Sequence, residues 1–291
     1  MNITQLRSFN AVALSGSFAA AARRLSRSQP TLSRQVSDLE LHYGVELFHR
    51  RGKTIELSAT GRKLLPITER LFSNSDQAEE LLKTASGLEV GHLRISATNP
   101  IDIVGAISTF SEKYPKVTVS LTICNSEQAL KALFNITADI AMLASERIDN
   151  KIKYITFGSR PLVAYVSKEH PFAAKNVVDF RAIAGERVII REQGSYTREL
   201  FFQACRRVGF QPNVVQEINN RDAFRESIAQ SWGVGIIGDN GLSADHRLKK
   251  IKLRGCGALM ERQIAHLRDR ADSRLIHSFM EVCKKLVRED T

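Results

Sequence analysis

The stretch that most constrains this chain runs from Ser17 to Tyr43, SFAAAARRLSRSQPTLSRQVSDLELHY. Apolar residues repeat at helical spacing on both sides of a short polar break, which predicts two short helices joined by a tight turn. Before the break, Phe18, Ala21, Ala22 and Leu25 form one stripe, and the alanines in it allow close approach to neighbouring helices. Ser17 and Ser28 supply hydroxyl caps for the two helices, and Pro30 falls in a first turn, where a missing N–H costs little. After the break, Leu32, Val36, Leu39 and Tyr43 share a face; at about 100° per residue, Pro30, Arg34 and Ser37 point the opposite way, flanked by Thr31, Ser33 and Asp38. A preceding helix, from a cap at Thr4 to about Leu14 and closed by Gly16, turns Leu6, Phe9 and Ala13 toward the same core.

A solvated polar face would also account for that pattern. Two properties favour a polyanionic partner instead. The polar groups gather at the helix N-terminus, where the dipole attracts phosphate, and Gln29, Ser33 and Arg34 are residue types that read base edges or phosphates in a major groove. Residues 47–50 and 54–57 then read as a hairpin with Arg51-Gly52-Lys53 at its tip, which is either a basic surface turn or a wing on a sugar–phosphate backbone. Residues 1–58 hold eight Lys/Arg against four Asp/Glu, within a chain of net charge +11. An excess of that size suits nucleic acid without requiring it.

The whole segment LRSFNAVALSGSFAAAARRLSRSQPTLSRQVSDLELHYGVELFHRRGKTIELSATG resembles the winged helix-turn-helix of LysR-type transcriptional regulators. The likeness includes SGSF before the second helix, SQPTLSRQV at the recognition helix, and GVELFHR with ELSATG around the wing. It implies a mainly α DNA-binding domain over residues 1–58. In it Ser28, Gln29, Pro30, Thr31, Ser33 and Arg34 form the groove-facing end of the recognition helix, and Arg50, Arg51 and Lys53 hold the backbone of double-stranded DNA.

Residues 59–88 carry Leu64, Leu71, Ala78 and Ala85 at seven-residue intervals, interleaved with Ile67, Asn74 and Leu81. Such a seam suits a helix packed on its own domain or, as its place between two domains favours, a linker helix that pairs two copies of the chain, with Asn74 fixing register and Pro66 kinking the helix or marking its first turns. The resemblance agrees with that pairing and extends it to a tetramer, with RNA polymerase as a further partner.

From residue 91 onward, strand and helix signals alternate. Strands are expected at 92–98, 117–123, 140–143, 162–166, 188–190, 214–218 and 265–267, and helices at 103–114, 127–134, 196–208, 221–231 and 273–287. On the residues alone this reads as one large α/β domain. The resemblance divides it into a periplasmic-binding-protein-like effector domain of two subdomains, about 91–162 with 270–291 and about 163–269, crossing near 161–167 and returning near 267–271. Ligands in such folds sit beyond strand C-termini, where helices begin. Three corners fit: Thr98-Asn99-Pro100, Asn125-Ser126, and Ser195-Tyr196-Thr197-Arg198, with Asn219 a weaker addition. Each is also explained by helix capping alone. Their hydroxyls and free N–H groups suit a small anion such as a phosphonate, phosphate, carboxylate or sulfate. The stretch ISATNPIDIVGAISTFSEKYPKVTVSLTICNSEQAL is also similar to LysR-type regulators associated with aminoethylphosphonate catabolism.

Other classes fit less well. The seven histidines lie in no nucleophile–base or metalloprotease motif, so no enzyme is expected. GVGIIG at 233–238 lacks dinucleotide-loop phasing and reads as a turn into a buried strand, with Trp232 beside it in the core. Cys124, Cys205, Cys256 and Cys283 are widely spaced, which predicts free thiols rather than a zinc site, although a thiol-based redox sensor remains an alternative. No run is apolar enough to span a membrane. The N-terminal residues lack a secretory pattern, so a cytoplasmic location is expected and an exported solute-binding protein is a remote alternative.

Overall fold

The computed structural model describes residues 1–51, 54–85, 91–145, 149–239 and 241–289. The chain divides into two compact units, Met1–Leu88 with Asn135–Thr137, and Glu89–Phe134 with Ala138–Thr291.

The first unit contains α1 (Ile3–Ser15), α2 (Phe18–Arg24), α3 (Gln29–Tyr43), the hairpin β1 (Phe48–Arg51) and β2 (Thr54–Leu57), and α4 (Ala59–Ala85). Ser17 and Ser28 cap α2 and α3 as expected, their side chains accepting from the N–H groups of Ala20 and Thr31. Helix α1 instead starts from Asn2, not Thr4. Asn2 and Gln5 each accept from the other's backbone N–H, a reciprocal cap that a hydroxyl at Thr4 does not match. Phe9, Val12, Ala21, Leu32 and Val36 are fully buried. Phe48 joins them from the hairpin, its ring 5.4 Å from that of Phe9. Tyr43 leaves the expected stripe and is 52% exposed, its ring packed on His42 at the end of α3.

Two local devices hold the hairpin in place. Glu40 on α3 accepts from the N–H groups of Leu47 at 2.7 Å and Phe48 at 3.1 Å through one carboxylate oxygen. Buried Ser58 accepts from Gly61 N–H and donates to the Glu46 carbonyl, starting α4 against the strands. A Cβ at Gly61 would lie 2.2 Å from the Leu47 carbonyl oxygen, so only glycine permits this approach. Along α4, Leu64, Leu65 and Phe72 pack on the unit's own core, and Thr68 donates to Asn10. Leu64 is therefore removed from the expected seam. Ile67, Leu71, Asn74, Ala78 and Leu82 stay exposed at i, i+4, i+7, i+11 and i+15. The side chains of Leu81 and Ala85 lie outside the described residues.

The second unit is α/β with two sheets. The first contains β3 (Gly91–Ala97), β4 (Val117–Ile123) and β5 (Ile140–Ala144), parallel and in the order β4-β3-β5. Helices α5 (Val104–Lys113) and α6 (Ser126–Phe134) connect these strands. The chain then enters β6 (Ile152–Ser167), a 16-residue strand whose first part lies in this sheet and whose last six residues lie in the next. The second sheet adds β7 (Val177–Asp179), β8 (Arg187–Arg191), β9 (Asn213–Ile218), β10 (Val234–Gly238) and β11 (Leu248–Arg254). In it β10, β8 and β9 follow on one side of β6, and β11 and β7 on the other. Helix α7 (Tyr196–Val208) packs on the larger apolar cluster of this sheet, and α8 (Arg221–Ala229) on a second cluster. The chain returns through β12 (Leu259–Leu267) to α9 (Arg274–Glu289), whose Ile276, Phe279 and Cys283 complete the first core.

The crossover through residues 161–167 follows from the β6 pairing. The return does not fall at 267–271. Residues 259–267 already pair with β5 and with the first part of β6, so the second crossover lies near Ala258. Alternation in LMERQIAHL is weak because Arg262 is tied up by an ion pair and Gln263 is buried, so only its last three residues read as strand. GVGIIG does form a buried strand. Trp232 is not core; it is half exposed under the Arg187 guanidinium.

Asp139 anchors the first sheet from within. It is 5% exposed and accepts from the backbone N–H, Nε and Nη2 of Arg94 and from Nη1 of Arg270. Burial alone raises its pKa, but the Arg94 hydrogen bonds and charge, with the Arg270 charge, outweigh it and hold the carboxyl below its ordinary value. A depressed carboxyl stabilises the fold above its unfolded-state pKa of about 4 and loses that contribution as pH falls through the folded value. Asp139→Asn should therefore cost about 3–5 kcal/mol at neutral pH, the penalty of stranding a buried cation, and should flatten the loss of stability below about pH 4. Urea unfolding of both proteins across pH checks this; a wild-type-like midpoint for the variant would refute it.

Candidate functional site

The side of α3 that carries Gln29, Pro30 and Arg34 is open. Gln29, Pro30 and Arg34 are exposed, and Thr31 and Ser33 partly so. Ser28 and Thr31 are occupied with each other, their hydroxyls 2.7 Å apart, which keeps the first turn rigid. Lys53 and the side chains of Arg50 and Arg51 lie outside the described residues.

In the second unit, strand C-termini from both sheets converge on one cleft of about 490 Å³, its open mouth included. Thr98 and Asn99 follow β3, Asn125 and Ser126 follow β4, and Ser195, Tyr196 and Thr197 open α7. Three bonds run across the cleft. Asn125 Nδ2 donates to the Gln193 carbonyl at 3.2 Å and Glu127 N–H to the Gly194 carbonyl at 3.2 Å. Arg221 Nη2, from the first turn of α8, donates to the Thr98 carbonyl at 2.9 Å. Gly194 has φ +86°, a conformation that strains any L side chain, so glycine is needed for the turn that brings its carbonyl to Glu127.

The charges come from residues that strand and helix signals did not single out. Asp102 is 5% exposed at its side chain and accepts at 2.8 Å from both Arg160, on β6, and Arg262, on β12. Asn99 Nδ2 donates to its other oxygen. Arg191, at the end of β8, spans both oxygens of Glu192 and reaches the Ile218 and Asn219 carbonyls. Arg221 donates to the carbonyls of Thr98 and Gly241. Burial, then the nearby Arg191 charge, pushes its pKa down to about 10.

Residues 3–62 match the model of the bacterial regulatory helix-turn-helix protein, lysR family, and residues 86–288 match the LysR substrate binding domain. This chain belongs to the LysR family of transcriptional regulators. This LysR-family regulator is 31% identical over 238 residues to the HTH-type transcriptional activator CmpR of Synechocystis sp., covering 80% of this chain and 77% of that one. Its fold is similar to that of full-length CbnR, a structure solved with its target DNA, with a TM-score of 0.72 at 20% identity, covering 98% of this chain and 99% of CbnR. The effector binding domain of QuiR, solved in complex with shikimate, covers 69% of this chain and 98% of its own at TM-score 0.63 and 16% identity.

Of the effector-site residues expected in this regulator, Thr98, Asn99, Asn125, Ser126, Ser195, Tyr196 and Thr197 line the cleft. Pro100 does not; it starts a short 3-10 turn that Asn99 caps. Arg198 turns away, donating to Glu217 and to the Arg191 carbonyl and stacking on Phe202. Its guanidinium holds the Glu217 carboxyl below the ordinary range. Asn219 contributes only its carbonyl, to Arg191. Asp102, Arg160, Arg191, Arg221, Asp239 and Arg262 were missed. Two carried a signal: Arg160 stands directly before the expected crossover at 161–167, and Arg221 two positions after Asn219.

The four thiols are free. Burial pushes Cys205 up to about 12, helped by the neighbouring Cys256, and Cys283 up to about 12 as well. It also raises Cys124, partly offset by a Ser96 hydrogen bond, and Cys256. A redox-sensing cysteine needs thiolate character and access. Peroxide at concentrations that oxidise a free thiol should therefore leave DNA affinity unchanged in a gel-shift titration. A peroxide-dependent shift abolished by Cys124→Ser would reinstate the redox reading.

Proposed function

We propose that the effector of this LysR-family regulator is a small anion held between the two subdomains of the second unit. The observation that carries this reading is the cation-rich cleft at converging strand ends, where four arginines meet the hydroxyls of Thr98, Ser126 and Ser195 and the N-terminus of α7. Shikimate on the QuiR domain is a carboxylate of similar scale and supports the same class. The protein performs no covalent chemistry on its ligand. Effector binding alters the bonds that Arg221, Asn125 and Glu127 make across the cleft, and so the posture of the DNA-reading unit.

On the DNA side, Gln29, Pro30, Ser33 and Arg34 enter the major groove, Ser28 and Thr31 brace that turn, and Arg50, Arg51 and Lys53 follow the backbone. The DNA-bound CbnR structure supports double-stranded DNA as the partner. Two copies pair along the exposed Ile67, Leu71, Ala78 and Leu82 stripe of α4, and two such pairs form a tetramer that acts on RNA polymerase at a promoter in the cytoplasm. Among the described residues, no helix is long and apolar enough to cross a membrane.

Arg34→Ala should weaken specific binding by about 1–3 kcal/mol, the discrimination of one bidentate base contact. Fluorescence anisotropy on promoter DNA beside the protein's own gene tests this, and unchanged affinity would remove Arg34 from the groove. For the cleft, full-length protein is screened by thermal shift against sulfate, phosphate, carboxylates and phosphonates, since a ligand of the native state raises the melting temperature. Thr98→Ala or Ser195→Ala should reduce the shift while leaving DNA affinity intact. No shift with any anion would end this reading.

A further inference from the structure

A second concavity in the α/β unit shares no residue with the cleft. It is a basin of about 1080 Å³, its open mouth included, bounded by the first part of β6, the end of β12, the 3-10 turn Arg268–Arg270 and α9. Ile152 and Met280 are buried in its wall, and Ile155 partly so. His277, Met280 and Lys284 stand at i, i+3 and i+7, so one face of α9 is turned toward it. The 3-10 turn is held in place: Arg270 donates to buried Asp139, and Arg268 Nε donates to the Asn150 carbonyl at 2.9 Å.

The decisive residue is His266. It is 7% exposed and pairs with Lys153 across the antiparallel β12–β6 ladder, so both side chains leave the same face of the sheet. Its Nδ1–H donates to the Leu267 carbonyl at 2.8 Å. A carbonyl only accepts, so this bond fixes the tautomer, and the neutral ring presents a lone pair at Nε2. Among the described residues Nε2 has no partner, and it is not sealed from solvent. Burial pushes the imidazole below its ordinary range, and the charges of Lys153, Lys284 and Arg268 push the same way, against the bond to Leu267. Among the described residues neither Lys153 nor Arg268 meets a carboxylate, while Lys284 holds Glu281 at 2.7 Å. Asp272, exposed, is the one carboxylate among the described lining residues.

We propose that this basin binds a phosphate monoester, its phosphate among Lys153, Arg268 and His266 Nε2 and its organic end on the apolar wall. The lone pair at Nε2 selects the class. Sulfate and carboxylates are fully ionised near neutrality, and each would face that lone pair unless the ring first took up a proton, which its surroundings oppose. A phosphate monoester, with a second pKa of about 6, brings its own proton. The P–OH donates to Nε2, or the ring takes that proton and donates it back; the other oxygens accept from Lys153 and Arg268. A DNA phosphodiester carries no such proton. This site stands apart from the cleft, whatever the cleft holds.

Isothermal titration of full-length protein with phenyl phosphate and phenyl sulfate, at about pH 6.5 and about pH 8, tests this. At the lower pH phenyl phosphate should bind about tenfold or more tighter than phenyl sulfate. Its affinity should fall about tenfold or more at the higher pH, because the complex keeps a proton that free ester and free ring have both lost. His266→Gln offers an amide N–H that needs no added proton and should flatten this dependence. Lys153→Gln and Arg268→Gln, both at exposed positions, should each weaken phenyl phosphate binding about tenfold. If phenyl phosphate does not bind, or binds wild type and both of these variants equally, the basin carries no such site and the cleft reading is untouched. If Thr98→Ala alone abolishes binding, the ester sits in the cleft, which overturns the basin and leaves the cleft reading standing.

Discussion

A single carboxylate, that of Asp102, ties together the two strands by which the chain passes between subdomains. Arg160 lies on the outgoing strand and Arg262 on the returning one, and both meet the same oxygen at 2.8 Å. Removing a carboxylate from water costs several kcal/mol unless its partners are well placed, so the position of Asp102 sets where both arginines stand. Asn99, which satisfies the other oxygen, also caps the turn after β3. The strand end, the turn and both crossovers therefore share one electrostatic centre at the floor of the cleft.

How much of this could be read from the residues depends on the range of the interaction. The helix-turn-helix was legible because capping and stripe formation act over three or four positions. Ser17, Ser28, Leu32 and Val36 carry that information locally, and only where helix α1 began on a reciprocal amide cap did the hydroxyl at Thr4 mislead. The hydroxyl corners of the cleft were legible for the same reason, since Asn125, Ser126 and Ser195 mark helix starts. Three of the arginines were not, because Arg160, Arg221 and Arg262 acquire their roles from partners far along the chain: Arg262 from a residue 160 positions away and Arg221 from one 123 positions away. Arg198, adjacent to a correct corner, went wrong because Glu217, on the neighbouring β9, captures it. The return crossover was misplaced because buried polar and paired charged residues in β12 mask its alternation.

The sharing of β6 between two sheets shapes how the cleft can respond. One continuous backbone strand serves the first sheet and then the second, and β12 returns beside it. Relative motion of the subdomains is then a twist about paired strands rather than the swing of a loose loop, and contacts such as Glu127 to Gly194 limit it. An effector bound as proposed would act on stiff elements, the condition under which a local event biases a larger arrangement.

The Glu40 bond to the Leu47 and Phe48 amides fastens the hairpin onto the helix that carries Arg34. Helix α3 and the start of the hairpin are thus held together as one piece. On the proposed DNA-bound arrangement, such a coupled pair would meet a duplex of unmatched groove width by bending or squeezing it, so the stiffness of the DNA at uncontacted base pairs would join in telling one operator from another.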